Sequence, residues 1–268
     1  MSTGLPDSKL IDRIIASDAA HTAGRIEAIA ADAGNPLKAT MLSQGPLRAF
    51  GVPGLPTHWL NRVMGLGEAH ASEVPRFAEW LRRHSINGWF EVMPDRHGPA
   101  LAAALAGAGY VQTRFDQVSW ARPRRGAPSL PVEIIATASA METFLDCHLE
   151  AWGMPEPHRE GAKRNMRRWL GLPGWTMLLA RTGVEPAGAA VLHIADDVAY
   201  IAATATRPAA RGQGAQTALL ERCFDLAHET GAEVIWSRSL YLSQSHRNML
   251  RAGLQILCTP AFWTLRAA

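Results

Sequence analysis

Cysteine is scarce in this chain, and its scarcity limits the chemistry that the chain can support. The 268 residues contain only Cys147, Cys223 and Cys258. Their odd number and wide spacing fit neither a disulfide framework nor a zinc site. The ten histidines show no His-x-x-x-His pattern, so no metal cofactor is predicted. The cysteines therefore favour reduced, buried thiols in a cytoplasmic protein.

Long apolar runs and a strong charge imbalance are also missing. No apolar run reaches the roughly 20 residues of a membrane span. The N-terminus carries Asp7, Asp12 and Asp18 without the apolar segment of a signal peptide. Lysine and arginine total 27 against 24 aspartates and glutamates, which is too even for a basic nucleic-acid-binding face. We therefore expect neither a membrane nor a nucleic acid as partner.

Lysine is absent after Lys163, and this absence decides how a glycine loop further along is interpreted. A strand over Tyr200–Thr206 is followed by a break at Arg207-Pro208 and by the segment Arg211–Thr217, which contains two glycines. A Walker loop needs a lysine after its last glycine, and a dinucleotide loop needs a third glycine where Thr217 stands. Both nucleotide-binding motifs are therefore poorly matched.

A helix is predicted over residues 214–230, directly after this loop. Apolar residues recur at three- and four-residue spacing and form one stripe: Leu219, Leu220, Cys223, Phe224 and Ala227. The first turn of a helix has amide N–H groups without partners and the positive end of the helix dipole. Glycines there allow an anion to approach the backbone, while Arg211 adds a cation and Thr217 a hydroxyl donor. The sequence therefore predicts an anion site.

The loop resembles the pyrophosphate loop of the GNAT acetyltransferase superfamily, written Arg/Gln-x-x-Gly-x-Gly/Ala after a strand that ends in hydrophobic-x-Pro. Arg211, Gly214 and Pro208 agree with that pattern. Gln216 stands at the last small-residue position, and Thr206 stands where the family usually has valine. The resemblance implies that the anion is the pyrophosphate of coenzyme A, with acetyl-CoA as cosubstrate.

A second motif follows in Ser243–Leu254, predicted as a short helix between a serine cap and a glycine. It is similar to the later GNAT motif Ser-x-Arg-Asn-x-x-Arg-x-Gly-Phe, with Leu254 in place of the phenylalanine. By resemblance, the residues that contact coenzyme A are Thr204, Ala205, Thr206, Arg211, Gly212, Gln213, Gly214, Ala215, Gln216, Thr217, Ser245 and Asn248. The implied fold is α/β (α+β mixed sheet), with coenzyme A entering where two central strands splay apart.

The order of predicted elements in the first half of the chain resembles that in the second half. Strand, helix, strand, helix and a strand pair are predicted between Trp59 and Trp120, in the order that also fills Tyr200–Trp263. We interpret residues 1–122 as a degenerate GNAT-like domain, 123–131 as a linker and 132–268 as the GNAT domain. The alternative is two unrelated α/β segments. In the first copy, Gly67-Glu68-Ala69-His70 is expected to put a carboxylate where a phosphate would have to sit.

The residues for proton transfer depart from the family pattern. A tyrosine usually lies four residues before the glycine of the second motif, but this chain has Met249 there. Either Tyr241 replaces it as proton donor or solvent protonates the thiolate. Val198–Thr206 contains no carboxylate, so His193 is the proposed general base, with His148, Glu150 and Glu156 as the other candidates.

The function implied by the resemblance is an acetyl-CoA-dependent N-acetyltransferase. The acceptor would be a primary amine of a small molecule or peptide, attacking directly in a ternary complex, and the protein a monomer or homodimer. Two alternatives remain open at this stage. One is a regulatory module that binds coenzyme A without catalysis, and the other is a tandem GNAT acyltransferase with a different acyl donor.

Overall fold

The computed structural model describes residues 7–55 and 57–266, which form two compact units. The first unit contains the described residues up to Val118 together with those from Leu257 onward, and the second contains Ser119–Ile256. Residues 1–6, 56, 267 and 268 of the predicted domains lie outside the described residues. Both units combine helices with a mixed sheet.

The first unit holds three helices and a six-stranded sheet. Its elements are α1 (Ser8–Ala30), β1 (Thr40–Gln44), β2 (Leu47–Gly51), β3 (Arg62–Leu66), α2 (Val74–Arg83), β4 (Trp89–Val92), α3 (Pro99–Gly107) and β5 (Tyr110–Ala121), with β12 (Ala261–Leu265) from the end of the chain. The strand order is β1-β2-β3-β4-β12-β5. Only β3 and β4 are parallel in this set; each other adjacent pair is antiparallel.

Helices cover both faces of the first sheet because their apolar residues recur on one side. Phe77 and Leu81 of α2 pack with Leu101 and Leu105 of α3 in one core. Four isoleucines of α1, namely Ile11, Ile15, Ile26 and Ile29, belong to a second core with residues of β2 and β3. The helix α1 is therefore a packing element of the first unit.

A buried ion cluster also ties α1 to the first sheet. Arg62 on β3 donates to Asp18 of α1 at 2.6 Å and to Glu91 of β4 at 2.8 Å. All three side chains are almost completely buried. Thr22 accepts a further bond from the same guanidinium at 2.9 Å. Removing one member would leave an uncompensated buried charge, which makes such clusters strict determinants of packing.

The second unit is built around a five-stranded sheet. Its elements are β6 (Val132–Ile134), α4 (Ala138–Ala151), α5 (Glu156–Met166), β7 (Trp175–Thr182), β8 (Glu185–Ala195), β9 (Val198–Thr206), α6 (Ala215–Glu229), β10 (Val234–Leu240) and α7 (Gln244–Arg251), followed by β11 (Gln255–Cys258), which crosses the unit boundary. The strand order is β10-β9-β8-β7-β6, with β9 and β10 parallel and the other pairs antiparallel.

The two faces of the second sheet carry different helices. Leu219, Leu220 and Phe224 of α6 pack against Leu192 and Ile201. Phe144 and Leu145 of α4 pack on the opposite face against residues such as Val191. Since neighbouring residues of a strand point to opposite faces, the strand positions alternate between these two cores. We call these faces the α6 face and the α4 face.

Two predicted features differ from the structure. The last part of the first repeat was expected as a strand pair, but β5 is one strand of 12 residues, which contains no glycine, proline or asparagine to turn it. The last strand, β12, was expected in the second domain but belongs to the first unit, because its partners are β4 and β5.

The predicted linker lies against α6 of the second unit. Both terminal nitrogens of Arg124 donate hydrogen bonds to the carboxylate oxygens of Glu221, at N–O distances of 2.7 and 2.8 Å. The guanidinium carbon of Arg124 lies 4.4 Å from the centroid of the Phe224 ring. The amide of Ala127 donates to the same carboxylate at 3.2 Å. The backbone at Gly126 approaches the carbonyl of Glu221 so closely that a Cβ would lie 1.9 Å from its oxygen. This segment is therefore an ordered part of the second unit.

Candidate active site

A gap opens between the two parallel strands of the second unit. The pairing of β9 with β10 runs from Val198 with Val234 to Ile201 with Ser237. Beyond that point β9 continues to Thr206 and β10 to Leu240 without further pairing between them. Ser237 closes the paired part by donating to the carbonyl of Ile201 at 2.8 Å. Backbone groups of Ala202–Thr206 on that side of β9 are therefore available to a bound ligand.

A β-bulge lies at the start of this gap. In the ladder between β8 and β9, Val191 faces Ala203 and Leu192 faces Ile201, so Ala202 is an extra residue. A bulge bends its strand and changes the direction of the neighbouring backbone groups, and bulges are common beside active sites. The residue pattern does not predict the bulge, because Ala202–Thr206 are all small residues and include neither glycine nor proline.

The glycine loop places an open helix end beside this gap. Gly214 is the N-cap of α6 and has a φ of 86°, in the left-handed region that glycine adopts without strain. Among the residues that the structure describes, no side chain caps this helix end. Arg211, Gly212, Gln213 and Thr217 are exposed, whereas Ala215 is buried. The arrangement offers amide N–H groups, the helix dipole and Arg211 to an anion.

A polar cluster connects the glycine-loop helix to the second motif. Gln216 donates its Nε2 to Thr204 Oγ1 and to Ser245 Oγ, both at 3.2 Å. Asn248 donates to Gln216 Oε1 at 2.5 Å. Four residues predicted as coenzyme A contacts, on β9, α6 and α7, are therefore brought together. The glutamine that departs from the family pattern is the centre of this cluster.

Arg207 fixes the turn between β9 and the glycine loop. Its Nε donates to Glu150 of α4 at 2.9 Å, its Nη1 to the Pro186 carbonyl at 3.0 Å, and its amide to the Ala187 carbonyl at 3.0 Å. The hydrogen bond to Glu150 raises the pKa of the guanidinium. Glu150 was a candidate general base, but it is engaged in this ion pair.

The other acidic and imidazole candidates have evident packing roles. Glu156 is ion-paired with Arg159 at 2.8 Å, and its side chain is exposed. His148 is buried in α4, stacked on Phe144 with ring centroids 5.5 Å apart and edge-on to Trp169 at 6.1 Å. Both residues occupy positions that their local contacts explain.

His193 lies on the α4 face of the second sheet. It shares that face with Val191, two residues earlier on β8, and its ring is 5.7 Å from that of Trp175. Its register partner on β9 is Tyr200, which is adjacent to the last paired residue before the gap. Burial lowers the pKa of His193 below its ordinary value, which favours the neutral form of the ring.

Tyr241 immediately follows β10, at the end of the strand that borders the gap. Its side chain is 56% exposed, and its ring centroid lies 5.5 Å from that of His246. Met249, the residue at the family's tyrosine position, is buried in the core of the α6 face. Tyr241 therefore lies beside the gap, while the usual donor position is occupied by an apolar side chain.

The first unit has a strand–helix–strand arrangement of the same kind, β3–α2–β4, but its carboxylate acts elsewhere. Glu68 was expected at the entrance of α2. Instead it accepts from the amides of Ala100 and Leu101, at 2.9 and 3.0 Å, in the first turn of α3. These bonds, that of Leu101 first, lower the pKa of the carboxyl. The prediction named the correct residue and the wrong helix, because the fold brings residue 68 against residue 100.

The comparisons with known proteins agree with this geometry. Residues 138–251 match the family model of the acetyltransferase (GNAT) family. Over these residues the chain is similar to that family. The matched range includes the gap, the glycine loop and the whole of α7. No curated protein matches the chain in sequence.

Solved structures extend the GNAT resemblance over both halves. A GCN5-related N-acetyltransferase from Kribbella flavida has a TM-score of 0.60 at 16% identity, covering 93% of this chain and 96% of that one. One from Sphaerobacter thermophilus has a TM-score of 0.61 at 14% identity, covering 85% and 83%. A tandem GNAT protein from the clavulanic acid biosynthesis pathway has a TM-score of 0.60 at 15% identity, covering 92% and 95%. The fold is thus the GNAT fold in tandem.

Two further properties of the described residues bear on the site. None of their helices combines the length and the apolar character required to cross a membrane. Within the same residues, no three histidine, cysteine or acidic side chains are grouped so that they could hold a metal ion.

Proposed function

We propose that this protein is an acetyl-CoA-dependent N-acetyltransferase that acts on a primary amine of a small molecule or peptide. The observation that carries the proposal is the open N-terminus of α6 next to the gap between β9 and β10. The helix end supplies an anion site. The gap supplies unpaired strand backbone at Ala202–Thr206, which is at most 12 residues before Gly214 in the chain. Together they suit a ligand with a pyrophosphate at one end and an amide-rich arm at the other.

In this proposal the α6 end holds the pyrophosphate. The amides of Gly214–Thr217 and the guanidinium of Arg211 neutralise its charge. Backbone groups of Ala202–Thr206 pair with the amide-rich arm as an added strand would. Gln216, Ser245 and Asn248 supply side-chain hydrogen bonds along the same arm. When bound, acetyl-CoA supplies the activated acetyl thioester.

The amine then approaches from the α4 face. The donor occupies the α6 face, because its pyrophosphate is held by α6, so the opposite face is left for the acceptor. His193 lies on the α4 face with a lowered pKa, which suits a base that takes a proton from the attacking amine. Backbone N–H groups at the Ala202 bulge stabilise negative charge on the carbonyl oxygen. Tyr241 is the proposed proton donor to the departing thiolate.

The first experiment measures acetyl-CoA binding by calorimetry and thiol release in the presence of a panel of primary amines. We expect binding with a one-to-one stoichiometry and thiol release with at least one amine. Tight binding with no thiol release for any amine would favour a non-catalytic coenzyme A-binding module. Release from longer acyl-CoA esters, with acetyl-CoA inert, would favour another acyl donor.

Gly214→Ala tests the anion site, and Gly183→Ala is its matched control. Both glycines have a positive φ, 86° and 61°, and at neither would a Cβ meet an atom closer than 3.8 Å. Each substitution therefore introduces a similar backbone strain of about 1–2 kcal/mol. Gly183 lies in the turn between β7 and β8, outside the glycine loop in sequence.

We expect Gly214→Ala to weaken acetyl-CoA binding about tenfold or more, because the strained cap moves the helix amides. Gly183→Ala should lower the melting temperature similarly and leave affinity unchanged. Equal affinities in the two variants would show that the α6 end does not hold the cofactor.

A further inference from the structure

One buried histidine of α7 has a ring N–H that no described residue accepts. His246 is 2% exposed and lies on the same buried face of α7 as Met249, one turn earlier. Its Nδ1 accepts the amide hydrogen of Leu242 at 3.1 Å. In the neutral ring the proton must therefore be on Nε2. Within the described residues, Nε2 is buried and has no hydrogen-bond partner.

A second unpartnered polar atom lies on the strand that leads to this helix. Ser239 of β10 is buried, and its hydroxyl has no partner among the described residues. It alternates with Ser237 and Ile235, and Ile235 belongs to the core of the α6 face. Ser239 is therefore on the side of the sheet that α6 and α7 cover, two residues beyond the last pairing with β9.

These two buried donors require an explanation, because a buried polar group without a hydrogen-bond partner costs about 1–3 kcal/mol. Both belong to the border of the gap, one on β10 and one on the helix that follows it. The neighbouring residues of α7, Ser245 and Asn248, reach β9 through Gln216. The side chains of α7 therefore enclose the gap on the α6 face.

We propose that His246 Nε2–H is the hydrogen-bond donor to the sulphur of coenzyme A, with the Ser239 hydroxyl as a second polar contact beside it. This inference rests on the proposed binding of acetyl-CoA. It assigns to His246 the stabilisation of the thiolate. Met249 cannot do this, because its side chain has no hydrogen-bond donor.

During acetyl transfer the amine nitrogen forms a bond to the carbonyl carbon, and the carbon–sulphur bond breaks with its electron pair remaining on sulphur. The proton lost by the amine passes through the base to water. His246 keeps its own proton and donates a charge-assisted hydrogen bond to the thiolate. Because Nδ1 is engaged with Leu242, the ring stays in the tautomer that can do this. The thiolate then takes a proton from Tyr241, and the Tyr241 phenolate is reprotonated from water.

Two substitutions separate this role from a structural one. Asparagine at position 246 retains an acceptor near Nδ1 for the Leu242 amide but has no donor near Nε2. Glutamine has an amide donor near Nε2 but no acceptor near Nδ1. The measurement is the ultraviolet absorbance of the thiolate of coenzyme A bound to the full-length protein, at one mildly alkaline pH. Calorimetry with desulfo-coenzyme A, which lacks the thiol, reports binding that does not involve sulphur.

We expect His246→Asn to lower the ratio of bound thiolate to thiol about tenfold, the effect of losing one charge-assisted bond. His246→Gln should retain most of the thiolate, and desulfo-coenzyme A should bind the native and His246→Asn proteins equally. A native ratio in His246→Asn would overturn the inference and leave the proposed function standing. No binding of coenzyme A to the native protein would overturn both.

Discussion

At the scale of single residues, the burial of His193 makes the stability of the folded protein depend on pH. Burial lowers its pKa from the ordinary value of 6.5, because the charged ring is poorly solvated on the α4 face. The unfolded chain then binds more protons than the folded protein as the pH falls through 6.5. The folded state is consequently penalised on the acid side, and its stability rises as the pH increases.

We expect the melting temperature of the native protein to fall as the pH is lowered below 6.5, and to fall less in His193→Gln, whose side chain does not titrate. His228→Gln is the control, since His228 is an exposed residue near the end of α6. Melting curves recorded by circular dichroism across this range test the prediction. Parallel pH dependence in all three proteins would contradict a burial penalty at His193.

The residue scale also shows which contacts a local motif contains and which it omits. Arg211, Gly214, Ser245 and Asn248 were assigned to one site from two short motifs, and the structure brings Ser245 and Asn248 into one polar cluster with Gln216. Glu150 was considered as a base because it is acidic and near the expected site. Its partner Arg207 is 57 residues away in sequence, so the ion pair is not visible in the local pattern.

At the scale of elements, two helix ends show opposite solutions to the same problem. Each helix begins with amide hydrogens that lack intrahelical acceptors. At α3 the carboxylate of Glu68 accepts from Ala100 and Leu101. At α6, within the described chain, no side chain takes this role. The first copy has therefore satisfied a helix end with its own acid, and the second has left one open.

Replacing Glu68 by alanine should lower the melting temperature and speed hydrogen exchange at the Ala100 and Leu101 amides. The control is Glu79→Ala, which removes an exposed acid from α2 that is paired with Arg82 and Arg83. Since the bonds of Glu68 lower its pKa from 4.5, its contribution is present above that value and is lost as the pH falls through the lowered pKa. Unchanged exchange at α3 in Glu68→Ala would contradict this capping role.

At the scale of the whole molecule, the two ends of the chain share a unit. β12, from the end of the chain, lies between β4 and β5 in the first sheet. Trp263 pairs with Phe90 on one side and Gln112 on the other, and Phe262 is completely buried. A strand in the interior of a sheet satisfies backbone groups on both neighbours, so the first unit depends on a segment that is distant from it in the chain.

A variant that ends at Ile256 should lose the protection of amide hydrogens in β4 and β5, because both strands then expose an unpaired edge. The hairpin of β7 and β8 in the second unit should keep its protection. Hydrogen exchange read by mass spectrometry separates these regions, and a variant lacking only the last two residues is the control. Native protection throughout β4 and β5 would contradict an essential role for β12.

The sequence alone determined the local features of this protein. Apolar spacing predicted α6, and glycine and serine positions predicted the loop and the cap of α7, since these depend on residues within one or two turns. The tertiary structure decided the bulge at Ala202, the helix end that Glu68 caps, the partner of Glu150 and the sheet that β12 completes. Each of these joins segments that are distant in the chain, and their contacts depend on how strands and helices pack.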